Sequence, residues 1–363
     1  MDNNITVNSK LNILSFTEGG SRLNEILCQR LAGPGRECAG YTVGRFAARF
    51  HLNEMGESPT EWIGSRWGEE AFLFIGAAGI AVRFIAPWVK DKFTDSAVLV
   101  MDEQGGFIVP LLSGHVGGAV EIAKIIAACT GAVPVITTAT DVKDKFAVDV
   151  FAKKNNLVIT DREAARKISA AVLEEIPIGF YSEFPIQGAI ARELRLCKTL
   201  GELSAYTLGI AVTGIKSTIP HNFQQQTLFL LPQNIVAGIG CRRDVPAERL
   251  EDGLKRVLAM HHLLKDQVKT LASIDLKKDE AGIIKLAKAW KIPFITYSAQ
   301  ELNRVHDVSS HSDFVMKITG VDNVCVRAAK TNCPGGRLIQ DKIKMDDMTL
   351  ALIQEEKSLY FDA

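Results

Sequence analysis

A histidine set among small residues is the first feature of this chain that could do chemistry. In PLLSGHVGGA, Pro110 to Ala119, His115 is flanked by Ser113, Gly114, Gly117 and Gly118. An imidazole titrates near neutral pH and can take a proton from water. Glycines let backbone N–H groups approach a ligand closely. The apolar run that follows, Ala119 to Cys129, reads as a helix whose first N–H groups and positive dipole end suit a carboxylate or an oxyanion. Two readings of His115 stand side by side, a general base and a residue that only packs or caps the turn. Ser113 reads as a cap or a ligand contact, because Ser-Gly-His lacks the surroundings of a nucleophile elbow; as a nucleophile it would be the third member of a catalytic set. Beyond the helix, Val133, Val135 and Ile136 make a short β-rich run ending in Thr137, Thr138, Thr140 and Asp141. Polar residues at the carboxyl end of a strand are where open α/β sheets hold ligands. Thr138 and Asp141 therefore contact substrate or orient the histidine, or else Asp141 caps the next helix.

A second group is Gly238-Ile239-Gly240-Cys241-Arg242-Arg243-Asp244. It resembles half of a dinucleotide fingerprint, but Arg243 stands where the third glycine belongs, so a nicotinamide cofactor is disfavoured. Arg242 and Arg243 at a strand-to-helix turn suit bidentate capture of carboxylates, with solvated arginines as the plain alternative. Cys241 is either a thiol activated by those cations or a small buried residue. Lys277 and Glu280 follow a later strand and either face the same cleft or form a capping box. Arg83, after the turn Gly76-Ala77-Ala78-Gly79, is a further candidate for substrate contact. His261, His262, His306 and His311 lack the spacing of a metal pair on one helix face, so no metal site is expected.

These residues need rigid elements to hold them. Strands are expected at Leu11–Phe16, Ala71–Ile75, Ala97–Met101 and Phe107–Val109, the last two joined by the turn Asp102–Gly106, with helices at Ser21–Leu31 and Val82–Ile85. Residues 33–65 read as irregular. The middle of the chain offers polar helices at Lys145–Lys153 and Asp161–Glu174 and strands at Leu157–Ile159, Leu203–Ala211 and Thr227–Leu231. From Asn234 onward, strands at Ile235–Ala237, Val268–Ile274 and Pro293–Tyr297 alternate with helices at Leu250–Leu258, Asp279–Trp290 and Ala299–Arg304, before a last strand at Thr349–Ile353. The expected class is α/β and multidomain: an N-terminal α/β domain over residues 1–141, a small linking domain over 142–232, and a Rossmann-like α/β C-terminal domain over 233–363.

Composition sets the outer limits. The 363 residues are 47% hydrophobic, enough for two or three cores. Lys+Arg and Asp+Glu balance at 42 each, which favours neither nucleic acid nor an anionic membrane surface. Seven cysteines without a C-x-x-C pair read as reduced thiols. With no signal peptide and no long apolar run, the cytoplasm is the expected compartment.

GAAGIAVR (Gly76 to Arg83), PLLSGHVGGA, PVITTATD (Pro134 to Asp141), GIGCRRD (Gly238 to Asp244) and LASIDLKKDE (Leu271 to Glu280) together resemble the cobalt-precorrin-5A hydrolase family of anaerobic cobalamin biosynthesis. The resemblance runs through nearly the whole chain in motif order. It implies an enzyme that opens the ring A δ-lactone of a cobalt-containing macrocycle and expels acetaldehyde. Catalysis would fall to His115, Ser113 and Asp141, and substrate contact to Arg83, Gly114, Gly117, Gly118, Thr138, Gly240, Cys241, Arg242, Arg243, Lys277 and Glu280. The cobalt would arrive inside the substrate, so no cofactor is expected. Partners would be the corrinoid, transiently other enzymes of the pathway, and a second copy if the protein is a homodimer. A non-catalytic corrinoid carrier is the alternative of another class. The family tends to carry a glutamate shortly after its G-V-x-x-V-C motif; Val326 and then Arg327 stand here, so no role for that carboxylate carries over.

Overall fold

LNILS, AFLFI and VLVM are short, nearly continuous apolar runs, the composition of strands covered on both faces. They form β1 (Leu11–Ser15), β4 (Ala71–Ile75) and β5 (Val98–Met101), in which every residue is buried. The computed structural model describes residues 10–31, 37–56, 58–91, 94–114, 117–138, 145–215, 227–306, 308, 311–345 and 347–361, in two compact units, Met1–Val150 and Phe151–Ala363. Among the described residues no helix is long and apolar enough to cross a membrane.

The first unit is one seven-stranded sheet. Its order is β3 (Asn53–Glu54), β2 (Cys38–Thr42), β1, β4, β5, β6 (Phe107–Leu112) and β7 (Val133–Pro134). Strands β3 to β5 are parallel, while β6 runs antiparallel to β5 and β7 parallel to β6. The β5–β6 turn is the expected one: the Asp102 carboxylate accepts from the N–H groups of Gln104 (2.9 Å) and Phe107 (2.6 Å). Helices α1 (Glu18–Leu31), α4 (Ala78–Ile85) and α5 (Ala119–Thr130) pack on the sheet, with α2 (Gly44–Ala47) and α3 (Pro59–Gly64) as short connectors. Residues 33–65 were expected to be irregular, yet their described part supplies β2, β3, α2 and α3. Gly40, which reads as a breaker, sits inside β2 because a Cβ there would lie 2.5 Å from the side chains of Asn24 and Leu52. The glycine serves close packing.

The second unit holds two five-stranded sheets. The first has the order β11 (Leu194–Leu196), β9 (Ile178–Ser182), β12 (Gly209–Val212), β13 (Thr227–Pro232) and β8 (Leu157–Ile159), parallel except for β8. Helix α6 (Val148–Lys154) precedes β8, and α7 (Arg162–Leu173) follows it, capped by the Asp161 carboxylate on the N–H groups of Glu163 and Ala164. The strand expected at Leu203–Ala211 begins only at Gly209. Leu200–Ala205 is a 3-10 turn instead, because Leu203 and Tyr206 fold back over Gly179, within 2.9 and 2.7 Å of where its Cβ would stand. A two-stranded parallel pair, β10 (Ile186–Gln187) with β19 (Leu359–Tyr360), ties the end of the chain to this sheet, helped by Asn155, which bonds Tyr360 through both N–H and C=O.

The second sheet has the order β16 (Phe294–Tyr297), β15 (Val268–Ile274), β14 (Ile235–Cys241), β18 (Met348–Gln354) and β17 (Arg337–Met345). Strands β14 to β16 are parallel, β18 runs antiparallel to β14, and β17 runs antiparallel to β18. Strand alternation splits β14 between two cores. Ile235, Ala237 and Ile239 pack with Leu250, Leu254 and Val257 of α8 (Ala247–Met260) and Ile283 and Leu286 of α9 (Ala281–Trp290). Val236 packs instead with Ala328 and Ala329 of α12 (Val324–Asn332) and Leu302 of α10 (Ala299–Asn303). Helix α11 (Asp313–Thr319) precedes α12. Two corrections follow. Gly238 to Cys241, expected as loop, are the last residues of β14, and the hairpin strand β17 and helix α12 were not foreseen at all.

Helix α12 is anchored by an ion pair. The buried Arg327 guanidinium donates from Nε to Asp322 Oδ1 at 2.7 Å and also reaches the carbonyls of Leu302 and Val305, while His311 Nδ1 meets the other Asp322 oxygen. Arg327, first of these causes, and His311 hold the Asp322 carboxyl down to about 2, against an ordinary 3.8. A depressed folded-state value contributes stability that is complete above the unfolded value and is lost as the pH falls through the folded one, a contribution of about 2 kcal/mol at neutral pH. Asp322→Asn should therefore lower the urea midpoint at pH 7, and the gap to wild type should narrow as the pH falls from about 4 towards about 2. A gap that stays constant over that window would refute the assignment. Val326, in the first turn of α12, is buried with Cys325 and Ala351.

Candidate functional site

The glycine-rich turn of the first unit closes tightly on itself. Ser113 has φ 54 and Gly118 φ 86, both left-handed, and Gly118 stands at the N-cap of α5. The N–H groups of Ala119 and Val120 bond the carbonyls of Ser113 (3.2 Å) and Gly114 (3.0 Å), so the first two donors of the helix proper are already used. The Ser113 hydroxyl donates to the Asp95 carbonyl at 3.0 Å. With its proton so engaged, the hydroxyl does not cap α5, which has no side-chain cap at its N-terminus. Gly117 has no room for a side chain, since a Cβ would lie 2.4 Å from Ser113 Cβ. The Thr138 hydroxyl lies 3.6 Å from where a Gly114 Cβ would stand, which brings the end of the β7 segment onto this turn. His115 and Asp141 lie outside the described residues.

Strand direction separates this turn from the Gly76–Arg83 segment. The Gly76 turn follows the carboxyl end of β4, whereas Leu112, at the carboxyl end of the reversed strand β6, pairs with Val98 at the amino end of β5. The two glycine turns stand at opposite ends of the strands. The exposed Arg83 has its described hydrogen bond within its own helix, to the Gly79 carbonyl at 3.4 Å. Thr138, too, lies at the amino ends of the parallel strands, so the carboxyl-end rule that singled it out does not apply to it.

In the second unit the candidates converge. Gly240, Cys241, Arg242, Arg243, Lys277 and Glu280 all line one cleft of about 990 Å³. It opens at the carboxyl ends of β14 and β15, where the chain order passes to β15 on one side and to the hairpin β17–β18 on the other, the switch point at which open α/β sheets take ligands. Glu280 pins two of its turns together: Oε1 accepts from the Asp244 N–H and Oε2 from Lys277 Nζ, each at 2.7 Å. Glu280 makes no side-chain bond to its own helix, so the capping-box reading of this residue is set aside. Asp347, in the hairpin turn, takes Arg242 at 3.5 Å and Arg249 at 2.6 Å. Burial, opposed by Lys277 and aided by Glu280, pushes the Cys241 thiol up to about 11. The thiol is thus protonated at neutral pH, which sets aside the activated-nucleophile reading.

The hairpin supplies cleft residues that the sequence reading missed: Lys342, Lys344, Met345, Asp347, Met348 and Thr349. The signal was present as the alternation in QDKIKM, where Ile343 packs against the core and the lysines flank it. No group of three or more His, Cys, Asp or Glu side chains among the described residues could hold a metal ion.

Fold and cleft together define a multidomain α/β protein with a cation-lined cleft large enough for a bulky small molecule. Residues 61–141, 146–232 and 235–353 match family models described as cobalamin synthesis G N-terminal, cobalamin biosynthesis central region and cobalamin synthesis G C-terminus. A protein of Salmonella typhimurium named cobalt-precorrin-5A hydrolase is 35% identical over 290 residues, covering 78% of this chain and 81% of that one. One of the same name from Priestia megaterium is 32% identical over 293 residues, 78% of each. Protein CobE of a Sinorhizobium species is 30% identical over 122 residues, 32% of this chain and 78% of that one. The chain belongs to the cobalamin synthesis G family.

Proposed function

We propose that this chain is a cobalt-precorrin-5A hydrolase: water opens the ring A δ-lactone of a cobalt-containing macrocycle to a carboxylate, and a two-carbon fragment leaves as acetaldehyde. The observation that carries the reading is the 35% and 32% identity, over 78% of the chain, to two proteins of that name. The 990 Å³ cleft with its arginines and lysines supports it, since a corrinoid rim carries many carboxylates. In this reading His115 takes the proton from the attacking water, and the N–H groups of Gly117 and Gly118 hold the tetrahedral oxyanion. Asp141 orients the imidazole, and Ser113, Gly114 and Thr138 position the substrate; Arg83, on the segment at the opposite end of the strands, is left out of this set. In the second unit Gly240, Cys241, Arg242 and Arg243 line the cleft, and Glu280 ties Lys277 to the Asp244 turn there. The cobalt belongs to the substrate, and the protein works in the cytoplasm without a cofactor of its own, handing its product to other enzymes of the pathway; a homodimer is compatible with this. The test is incubation of the purified protein with cobalt-precorrin-5A and no added metal, nucleotide or flavin. Acetaldehyde should appear in step with ring opening. Tight binding without acetaldehyde would make the protein a corrinoid carrier.

A further inference from the structure

Five cations line the cleft of the second unit, but they are not equivalent. Arg242 is held by Asp347 and Lys277 by Glu280. Among the described residues no carboxylate lies within ion-pair distance of Arg243, Lys342 or Lys344. The carboxylates of Asp244 and Asp279 also line the cleft, on the turns after β14 and β15, and that of Asp347 in the hairpin turn is taken up by Arg242 and Arg249. Residues two apart on a strand share a face and stand about 7 Å apart, and Ile343 between the lysines packs into the core. That spacing suits two carboxylates on separate arms of one ligand better than the oxygens of a single phosphate. Two large apolar side chains, Leu276 and Ile318, are 64% and 62% exposed and line the same cleft. Exposed apolar surface beside uncompensated cations fits a ligand that is apolar in its body and anionic at its rim, and a volume of about 990 Å³ is at the upper end for a small-molecule site.

We propose that Lys342 and Lys344, with Arg243 across the cleft, select a macrocycle whose rim carboxylates are free over one whose rim is esterified or amidated, while Leu276 and Ile318 hold its apolar face. This rests on the corrinoid reading above and adds to it the residues that discriminate the charge state of the ligand.

The test compares cobyrinic acid, a cobalt corrinoid with free rim carboxylates and no lactone, with its fully methylated ester on the whole chain. Wild type should bind the acid at least about tenfold more tightly than the ester. Lys342→Ala/Lys344→Ala should lose about tenfold in affinity for the acid, keep its affinity for the ester, and show a flatter dependence of acid binding on salt. Lys342→Arg/Lys344→Arg should recover most of the loss, which a merely structural role would not predict. Equal binding of acid and ester by wild type, or acid affinity within about twofold of wild type in the alanine variant, overturns the proposal. Acetaldehyde release by wild type is scored separately. If it fails while lysine-dependent binding of the acid holds, the hydrolase reading falls and this site stands; the converse result removes this site alone.

Discussion

His115→Ala is expected to lower acetaldehyde release by about 10²–10⁴-fold, the scale on which a positioned general base acts. The hypothesis rests on this being the histidine set in the glycine-rich entrance to a helix, where proton transfer and oxyanion donors can be supplied within a few residues. Binding of the corrinoid should survive, because a general base acts on the attacking water and does not hold the macrocycle. Lactone hydrolysis should therefore lose kcat with little change in the dissociation constant, the pattern of an interaction made in the transition state. Ser113→Ala should cost far less, since its hydroxyl is committed to the Asp95 carbonyl. A Ser113 variant as damaged as the His115 variant would restore the nucleophile reading. Turnover of the His115 variant within about threefold of wild type would move the chemistry away from this turn.

What was legible in the sequence was the part of the fold that a single pattern dictates. Continuous apolar runs gave β1, β4 and β5, and the Asp102–Gly106 turn gave the β5–β6 hairpin, because burial on both faces and turn chemistry are local signals. The convergence of Gly240, Cys241, Arg242, Arg243, Lys277 and Glu280 was legible too, since strand-to-helix turns in one parallel sheet open at one end. Strand β17 was not. As an edge strand it is rich in charge, Arg337, Asp341, Lys342 and Lys344, the composition that keeps an edge from pairing with another chain and also makes it read as loop. Helix α12 was missed for another reason: its first six residues, Val324 to Ala329, are all buried, so no apolar stripe at helical spacing marks it, although Asn323 is a proper N-cap that accepts from the Val326 N–H at 3.2 Å. The placement of the Ser113 and Gly76 turns at opposite ends of the sheet was also hidden, because it depends on the reversal of β6, and local patterns do not carry strand direction.

The segment Gly238-Ile239-Gly240 was expected as loop, and the reason it is strand yields the largest expected effect on stability. Gly238 leaves its space open for a helix. A Cβ built on it would lie 1.8 Å from the Cys325 carbonyl oxygen, 2.7 Å from that carbonyl carbon and 3.0 Å from Ala329 Cβ. The nearest atoms are backbone in the first turn of α12, so no side-chain rotation relieves the overlap. Either α12 lifts off β14, which exposes the core of Val236, Ala328 and Ala329, or β14 shifts within a five-stranded sheet. Gly238→Ala should therefore destabilise the second unit by about 3 kcal/mol or more, at or beyond the upper end of ordinary overpacking. At Gly240 the nearest atom is the Thr349 hydroxyl, 2.7 Å from an added Cβ, and its rotation should hold the cost of Gly240→Ala well below that of Gly238→Ala. Gly56 has nothing within 4 Å, and Gly56→Ala should stay within about 0.5 kcal/mol of wild type. Urea unfolding of the three variants gives the order directly. A Gly238→Ala protein as stable as the Gly56 control would mean that α12 does not seat on β14 through this glycine.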